Sequence, residues 1–155
     1  MYTPDVQNAL NDYADMVYKI ALTQTKSKYD AEDVFQEVFL RLVSDASNIT
    51  SEEHLKAWLI RVTLNCCKKH FSMWNKKTVE LTDDVPSEAS VTETERLYIL
   101  DAVMNLSPKY RAVIHMFYYE DMTISEISNI LQIKESTVKS QLNRGRSLLK
   151  ETLAI

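Results

Sequence analysis

The chain has 155 residues, room for one ordinary domain or two small ones, with one glycine, three prolines and a net charge of −4. So little glycine excludes a hairpin-rich sheet protein, because many tight hairpin turns need a residue at positive φ, and it points to an all-α chain. No apolar run approaches the roughly 20 residues that cross a bilayer, the start MYTPDVQNALNDY lacks the basic end and apolar core of a secretion signal, and the adjacent Cys66 and Cys67 make no disulfide framework, so a cytoplasmic protein is expected.

The first helix is expected to open at Thr3, with Pro4 at its first position, where a missing N–H does no harm. Val6, Leu10, Tyr13, Val17 and Ile20 recur every three or four residues and give it one apolar face. The second helix is expected from about Asp30, with Val34, Phe35, Val38, Phe39, Leu42 and Val43 as its stripe. That stripe is wide for a small helix and points to a second contact, with a partner. The acids Asp30, Glu32, Asp33 and Glu37 suit the positive end of its dipole. The third helix is capped by Ser51 and runs through Leu55, Trp58, Leu59 and Val62 into a basic stretch, with Trp58 assigned to the core. These helices make a first domain of residues 1–75. Residues 76–91, polar and acidic around Pro86, read as a flexible linker. Thr92 with Glu95 forms a capping box that opens a second domain, residues 92–155, of four helices. Ser107-Pro108 and Thr123 with Glu126 mark two further helix starts.

The sharpest local pattern is TISEISNILQIKESTVKSQLNRGR, residues 123–146. A short helix turns Ile127, Ile130 and Leu131 inward, a turn follows around Gln132 to Lys134, and a longer helix turns Val138, Leu142 and Leu149 inward. Two helices joined by such a turn make the DNA-binding helix-turn-helix, whose second helix enters the major groove. Lys139, Arg144 and Arg146 can reach phosphates or guanine, and Ser136, Thr137, Ser140, Gln141 and Asn143 supply short polar contacts. Gly145 sits inside this helix, where it costs about 1 kcal/mol against alanine; close approach of a neighbour or of DNA would explain it. Charge is segregated along the chain: residues 56–77 carry six bases and no acid, and residues 134–150 five bases and one acid. Basic patches on an acidic background are the footprint of phosphate-binding faces. Trp74, Phe71, His70 and Asn65, in or beside the first patch, are candidates to hold an unstacked base.

With these residues in view, the chain resembles the extracytoplasmic-function (ECF) sigma factors of the bacterial sigma-70 family. LSPKYRAVIHMFYYEDMTISEISNILQIKESTVKSQLNRGRSLLKE resembles region 4, YDAEDVFQEVFLRL (residues 29–42) region 2.2, and LKAWLIRVTLNCCKK (residues 55–69) regions 2.3 and 2.4. The three stretches cover almost the whole chain in the family's order and spacing. The resemblance implies that Asp33, Gln36, Glu37, Phe39, Leu40 and Arg41 dock on the β′ clamp helices of core RNA polymerase. It implies further that Arg61, Asn65, Lys68 and Lys69 face −10 promoter DNA, and that Thr137, Lys139, Ser140, Asn143 and Arg144 contact the −35 element, with the second domain near the β flap. The acidic linker would thread towards the active-site cleft. An anti-sigma factor is an expected partner; no cofactor, metal or small-molecule substrate is expected, and no enzyme activity. The chain departs from the family pattern at Lys69 and Ser72, where an acid and a base are common. It departs again at Gln132, usually glycine, and at Gln141, often arginine. These departures bear on the promoter sequence read, and Gln141 matches the N6/N7 edge of adenine.

Other readings are weaker. An enzyme would need more than three scattered histidines and no glycine-rich phosphate loop. Cys66, Cys67 and His70 make only a partial metal set, and adjacent cysteines rarely fit a tetrahedral site. A stand-alone helix-turn-helix regulator would need a signal-binding first domain, of which there is no sign. A module that only binds proteins leaves the two basic patches unexplained. Net acidity predicts modest DNA affinity for the protein without polymerase.

Overall fold

The structure, a computed structural model, describes residues 2–76 and 101–153, with side chains described over 2–70 and 101–153. All regular structure among the described residues is helical. Most of the expected linker and the Thr92/Glu95 capping box lie outside the described residues.

Helix α1 spans Val6–Thr25. It opens later than the expected start at Thr3, because Asp5 is the better cap: its carboxylate accepts from the N–H of Gln7 at 2.8 Å and of Asn8 at 3.4 Å. Helix α2, Lys28–Asp45, starts two residues before Asp30, capped by the Ser27 hydroxyl. A 3₁₀ turn, Ala46–Asn48, leads to α3, Glu52–Lys76. Ser51 caps α3 as expected, accepting from His54 N–H at 3.0 Å. The apolar faces of the three helices meet in a core of Val17, Ile20, Val34, Val38, Leu42, Leu55 and Leu59, all buried. Trp58 is half-buried against it. Val43 is not part of that core, contrary to its place in the expected stripe: it is 62 % exposed.

In the second unit residues 101–104 are helical, and α4, Pro108–Ile114, starts with Ser107 at its cap and proline at its first turn. The chain then widens into a π-helical turn, His115–Tyr119, which the sequence pattern did not announce. Thr123 and Glu126 cap α5, Ile124–Leu131, with both halves of the capping box formed. Helix α6 is Glu135–Leu153. Ile127, Ile130, Val138 and Leu142 close the core between α5 and α6. Gly145 answers to a neighbour within the fold: a Cβ there would lie 3.2 Å from Cγ1 of Ile114, so its absence lets α6 press onto α4.

The turn between α5 and α6 is held by Ser128. Its carbonyl accepts from the backbone N–H of Gln132 and, at 3.2 Å, of Ile133, and its hydroxyl donates to Ile133 O. Gln132 thereby takes the left-handed conformation, φ 57° and ψ 44°, which a residue with a Cβ enters at a cost of about 1 kcal/mol.

The two units are packed together through Arg111. Its buried guanidinium donates to Met104 O at 3.0 Å and Leu106 O at 2.7 Å in its own unit, and to Gln24 O at 2.9 Å, at the C-terminal end of α1. The Gln24 side chain returns the contact, its amide donating to Pro108 O at 3.4 Å. In α3 both thiols are buried; burial, then a hydrogen bond to Glu37, pushes Cys66 up to about 11, and burial pushes Cys67 up to about 12.

Two outcomes follow. Replacing Gln132 with glycine should relieve the left-handed strain and raise stability by about 0.5–1 kcal/mol, read as a higher urea midpoint at unchanged m-value; an unchanged or lower midpoint would refute the strain. Because the thiolate is the reactive form, iodoacetamide at pH 8 should alkylate the folded protein about a hundredfold more slowly than the urea-unfolded chain. Equal rates would show the thiols to be open.

Candidate nucleic-acid interface

The second helix of the helix-turn-helix, α6, is anchored inward by Val138, Leu142 and Gly145. At 100° per residue this leaves Ser140 and Asn143 on its outer side, flanked by Thr137 and Arg144 on one edge and Lys139 and Arg146 on the other. Lys139, Ser140, Asn143, Arg144 and Arg146 are exposed and Thr137 is half-buried, so the five expected −35 residues share one accessible surface. Arg146 is aimed by the π-helical turn. Its Nε donates to the Tyr118 hydroxyl at 2.6 Å, its Nη1 donates to Asn143 Oδ1 at 3.1 Å, and its guanidinium lies over the rings of Phe117 and Tyr118. An arginine held on an aromatic shelf loses less freedom when it meets a phosphate.

On α3, Arg61, Asn65 and Lys68 follow one another at steps of four and three and fall on one face. They line a cleft of about 460 Å³ whose opposite wall includes Leu131, Gln132, Ile133 and Gln141. Lys69 is not with them. It turns to α2, where its Nζ lies 3.5 Å from Glu37 Oε1. His70, a candidate for holding an unstacked base, is also drawn to α2, its Nδ1 3.2 Å from Asp30 Oδ1. The side chains of Phe71 and Trp74 lie outside the described residues. Among the described residues no three His, Cys, Asp or Glu side chains are grouped to hold a metal, and no helix is long and apolar enough to cross a membrane.

The expected polymerase-binding set on α2 divides in two. Asp33, Gln36 and Leu40 are exposed, whereas Phe39 is buried, its ring centroid 4.8 Å from that of Phe35, so Phe39 braces this helix rather than lining its surface. Glu37 and Arg41 pair at 2.8 Å beside that surface. Burial alone would raise the Glu37 carboxyl, but hydrogen bonds from Cys66 and Arg41, with the charges of Arg41 and Lys69, together hold it below its ordinary value.

The sequence reading assigned no role to Tyr29 and placed Val43 on the inner stripe. Tyr29 is 82 % and Val43 62 % exposed, and with Leu40 at 68 % they are large apolar groups left in water. Tyr29, Asp33, Gln36, Leu40 and Val43 are spaced four, three, four and three residues apart. That is the spacing that keeps a stripe facing a helical partner in a coiled coil. The signal was in the sequence, masked by the neighbouring core stripe one step around the helix.

Comparison with known proteins agrees with this geometry. The family model described as Sigma-70 region 2 matches residues 9–75, and that described as Sigma-70, region 4 matches residues 96–149. The ECF RNA polymerase sigma factor SigM of Bacillus subtilis is 32 % identical, the alignment covering 89 % of this chain and 88 % of SigM. SigL of Mycobacterium tuberculosis is also 32 % identical, over 92 % of this chain and 85 % of its own. SigE of Mycolicibacterium smegmatis is 28 % identical over 97 % of this chain, which spans 62 % of that longer protein. The fold is that of the sigma factor RpoE, solved in complex with the anti-sigma factor NepR from Bartonella quintana, with a TM-score of 0.80, 18 % identity and 96 % of each chain covered. CnrH, solved with the cytosolic domain of CnrY, gives a TM-score of 0.73 at 17 % identity, covering 96 % of this chain and 87 % of CnrH. With both conserved regions matched in order and relatives above 30 % identity along most of their length, the chain belongs to the sigma-70 family and, within it, to the ECF RNA polymerase sigma factors.

Proposed function

We propose that the protein binds core RNA polymerase through the exposed stripe of α2 and directs it to promoters by two DNA contacts. Arg61, Asn65 and Lys68 on α3, with Lys69 beside them, meet the −10 element; Thr137, Lys139, Ser140, Asn143 and Arg144 on α6 meet the −35 element in the major groove. The protein acts by binding, in the cytoplasm, and performs no chemistry of its own. It needs no cofactor. An anti-sigma factor is a further partner, as the relatives' complexes suggest by analogy.

The observation that carries this reading is the α2 stripe. Folding gives no reason to leave Tyr29, Leu40 and Val43 in water, since each apolar side chain taken out of water is worth about 1.5–3 kcal/mol. A stripe at coiled-coil spacing that includes Asp33 fits a helical partner carrying basic groups. The two basic faces then supply the phosphate contacts, and their outer residues the base contacts.

The deciding experiment is binding of the labelled protein to a cognate core polymerase by fluorescence anisotropy, with a primary sigma factor as competitor. Submicromolar binding, displaced by the competitor, is expected. Leu40→Asp and Asp33→Lys should each weaken it about tenfold or more at unchanged circular dichroism, because both side chains are exposed and their loss does not touch the core. Wild-type affinity in both variants would remove α2 from the docking face, and no binding at all would favour a DNA-binding regulator that works alone. On DNA, Lys139→Ala should weaken holoenzyme binding across all sequences and lower the salt-dependence slope by about 1. A change confined to one base position would assign Lys139 to base reading instead.

A further inference from the structure

The amide oxygen of Asn143 is already engaged. It accepts from Arg146 Nη1 at 3.1 Å, across one turn of α6. By itself such a contact on a helix surface is worth little, but this guanidinium is also held from behind. Its Nε donates to the Tyr118 hydroxyl at 2.6 Å, and its central carbon lies 5.6 Å from the centre of the Phe117 ring and 5.5 Å from that of Tyr118. Those two rings stand edge to face, 5.0 Å apart, in the π-helical turn. Asn143 and Arg146 are both exposed, so a duplex on this face meets the pair rather than either residue alone.

What the pair can read is a matter of donors and acceptors. A free asparagine amide offers one of each and matches adenine, whose major-groove edge also has one of each, the N6 amino group and N7. With Arg146 against Oδ1, an adenine amino group seeking that oxygen meets guanidinium N–H groups, donor against donor. The pair presents donors alone: the Asn143 amide NH2 and the guanidinium N–H groups that Tyr118 and Asn143 do not use. Guanine is the one base with two acceptors on that edge, O6 and N7.

We propose that Asn143, Arg146 and Tyr118 form one guanine-reading unit. Asn143 and Arg146 supply donors to the base edge, and Tyr118 is the positioning residue that holds Arg146 in place. This rests on the −35 role given to α6 above and adds what one part of that helix reads. It brings Arg146 into base recognition and reverses the preference that an asparagine has by itself. Part of the reading is then set outside the helix-turn-helix, by the π-helical turn.

The test is selection by the holoenzyme, the full chain with a cognate core polymerase, from duplex DNA randomised through the promoter and sequenced before and after. One −35 position should favour guanine on one strand, and Asn143→Ala should abolish the preference there. Arg146→Ala should turn the guanine-to-adenine ratio at that position at least about tenfold towards adenine, the size of one good base contact. Tyr118→Phe, which keeps the ring and loses the hydroxyl, should move the same ratio the same way by a smaller factor. Arg146→Lys, with the charge but not the fork, should recover overall affinity relative to Arg146→Ala without recovering the guanine preference. All three side chains are exposed, so circular dichroism should not change. Adenine at the Asn143 position in the wild type, or a loss in Arg146→Ala that is equal across all sequences, would overturn the unit. An unchanged ratio in Tyr118→Phe would remove the positioning role. If Asn143→Ala moves no position while Lys139→Ala or Arg144→Ala alters −35 binding, the unit falls and the −35 role of α6 stands; if none of them alters it, both fall.

Discussion

The arrangement of the two units depends on one buried cation. Burying a guanidinium costs several kcal/mol unless its donors are met, and burial pushes Arg111 below its ordinary value. Its planar fork meets three backbone carbonyls, Met104 O, Leu106 O and Gln24 O. Met104 and Gln24 lie at the C-terminal ends of helical segments, where the helix dipole concentrates negative charge, so the cation is stabilised by fields as well as by hydrogen bonds. A lysine would bring the charge without the fixed fork and would leave carbonyls unmet. Much of what lies downstream follows from this anchor. With Arg111 fixed, α4 is fixed, and Ile114 one turn on receives the bare backbone of Gly145, which sets how closely α6 lies on α4.

Helix α2 shows how one short element serves two contacts. Its inner side, Val34, Val38 and Leu42, is fully buried, and Phe39 extends that side against Phe35. One step around the helix begins the exposed stripe. Between the two, Glu37 takes a hydrogen bond from Cys66 of α3, pairs with Arg41 and attracts Lys69. This seam of polar contacts ties α2 to α3 along the border of the exposed stripe. It also explains why Lys69, alone of the four residues assigned to −10 DNA, turns away from the cleft: the carboxylate on α2 is the nearer partner.

How much of this was legible in the sequence varied with how local the cause was. The helix-turn-helix could be read almost residue by residue, because a capping box at Thr123, apolar spacing on both helices and the break after Leu131 all act within a few positions. The N-terminus was misread where two local signals competed: Pro4 is a good first-turn residue, but the Asp5 carboxylate satisfies two helix donors and sets the start. Val43 was assigned to the inner stripe and is exposed, because the two stripes of α2 are contiguous in sequence and only packing separates them, whereas Phe39, expected in that inner stripe, is buried there. The π-helical turn arises from how Glu120 and Met122 bond back to His115 and Met116, a register with no compositional mark. The Arg111 contact between the two units was invisible for a similar reason. Its acceptor, Gln24 O, is a backbone atom that every residue has, so nothing in the type of residue at position 24 announces it.

The distribution of charge supplies the last link between structure and the proposed role. Two basic faces on a chain of net charge −4 neutralise few phosphates, so each alone binds DNA weakly and loses affinity steeply with salt. Joining two weak sites in one chain raises affinity only if their separation matches that of their targets, since the second contact then forms at high effective concentration. In this structure the turn between α5 and α6 stands across a cleft from Arg61, Asn65 and Lys68 of α3, so the spacing between the two basic faces is set by how the units pack. A third body that holds the units apart therefore converts two weak contacts into one strong one. In the proposed role core polymerase is that body, and the exposed stripe on α2, outside the cleft, is the surface by which it takes hold.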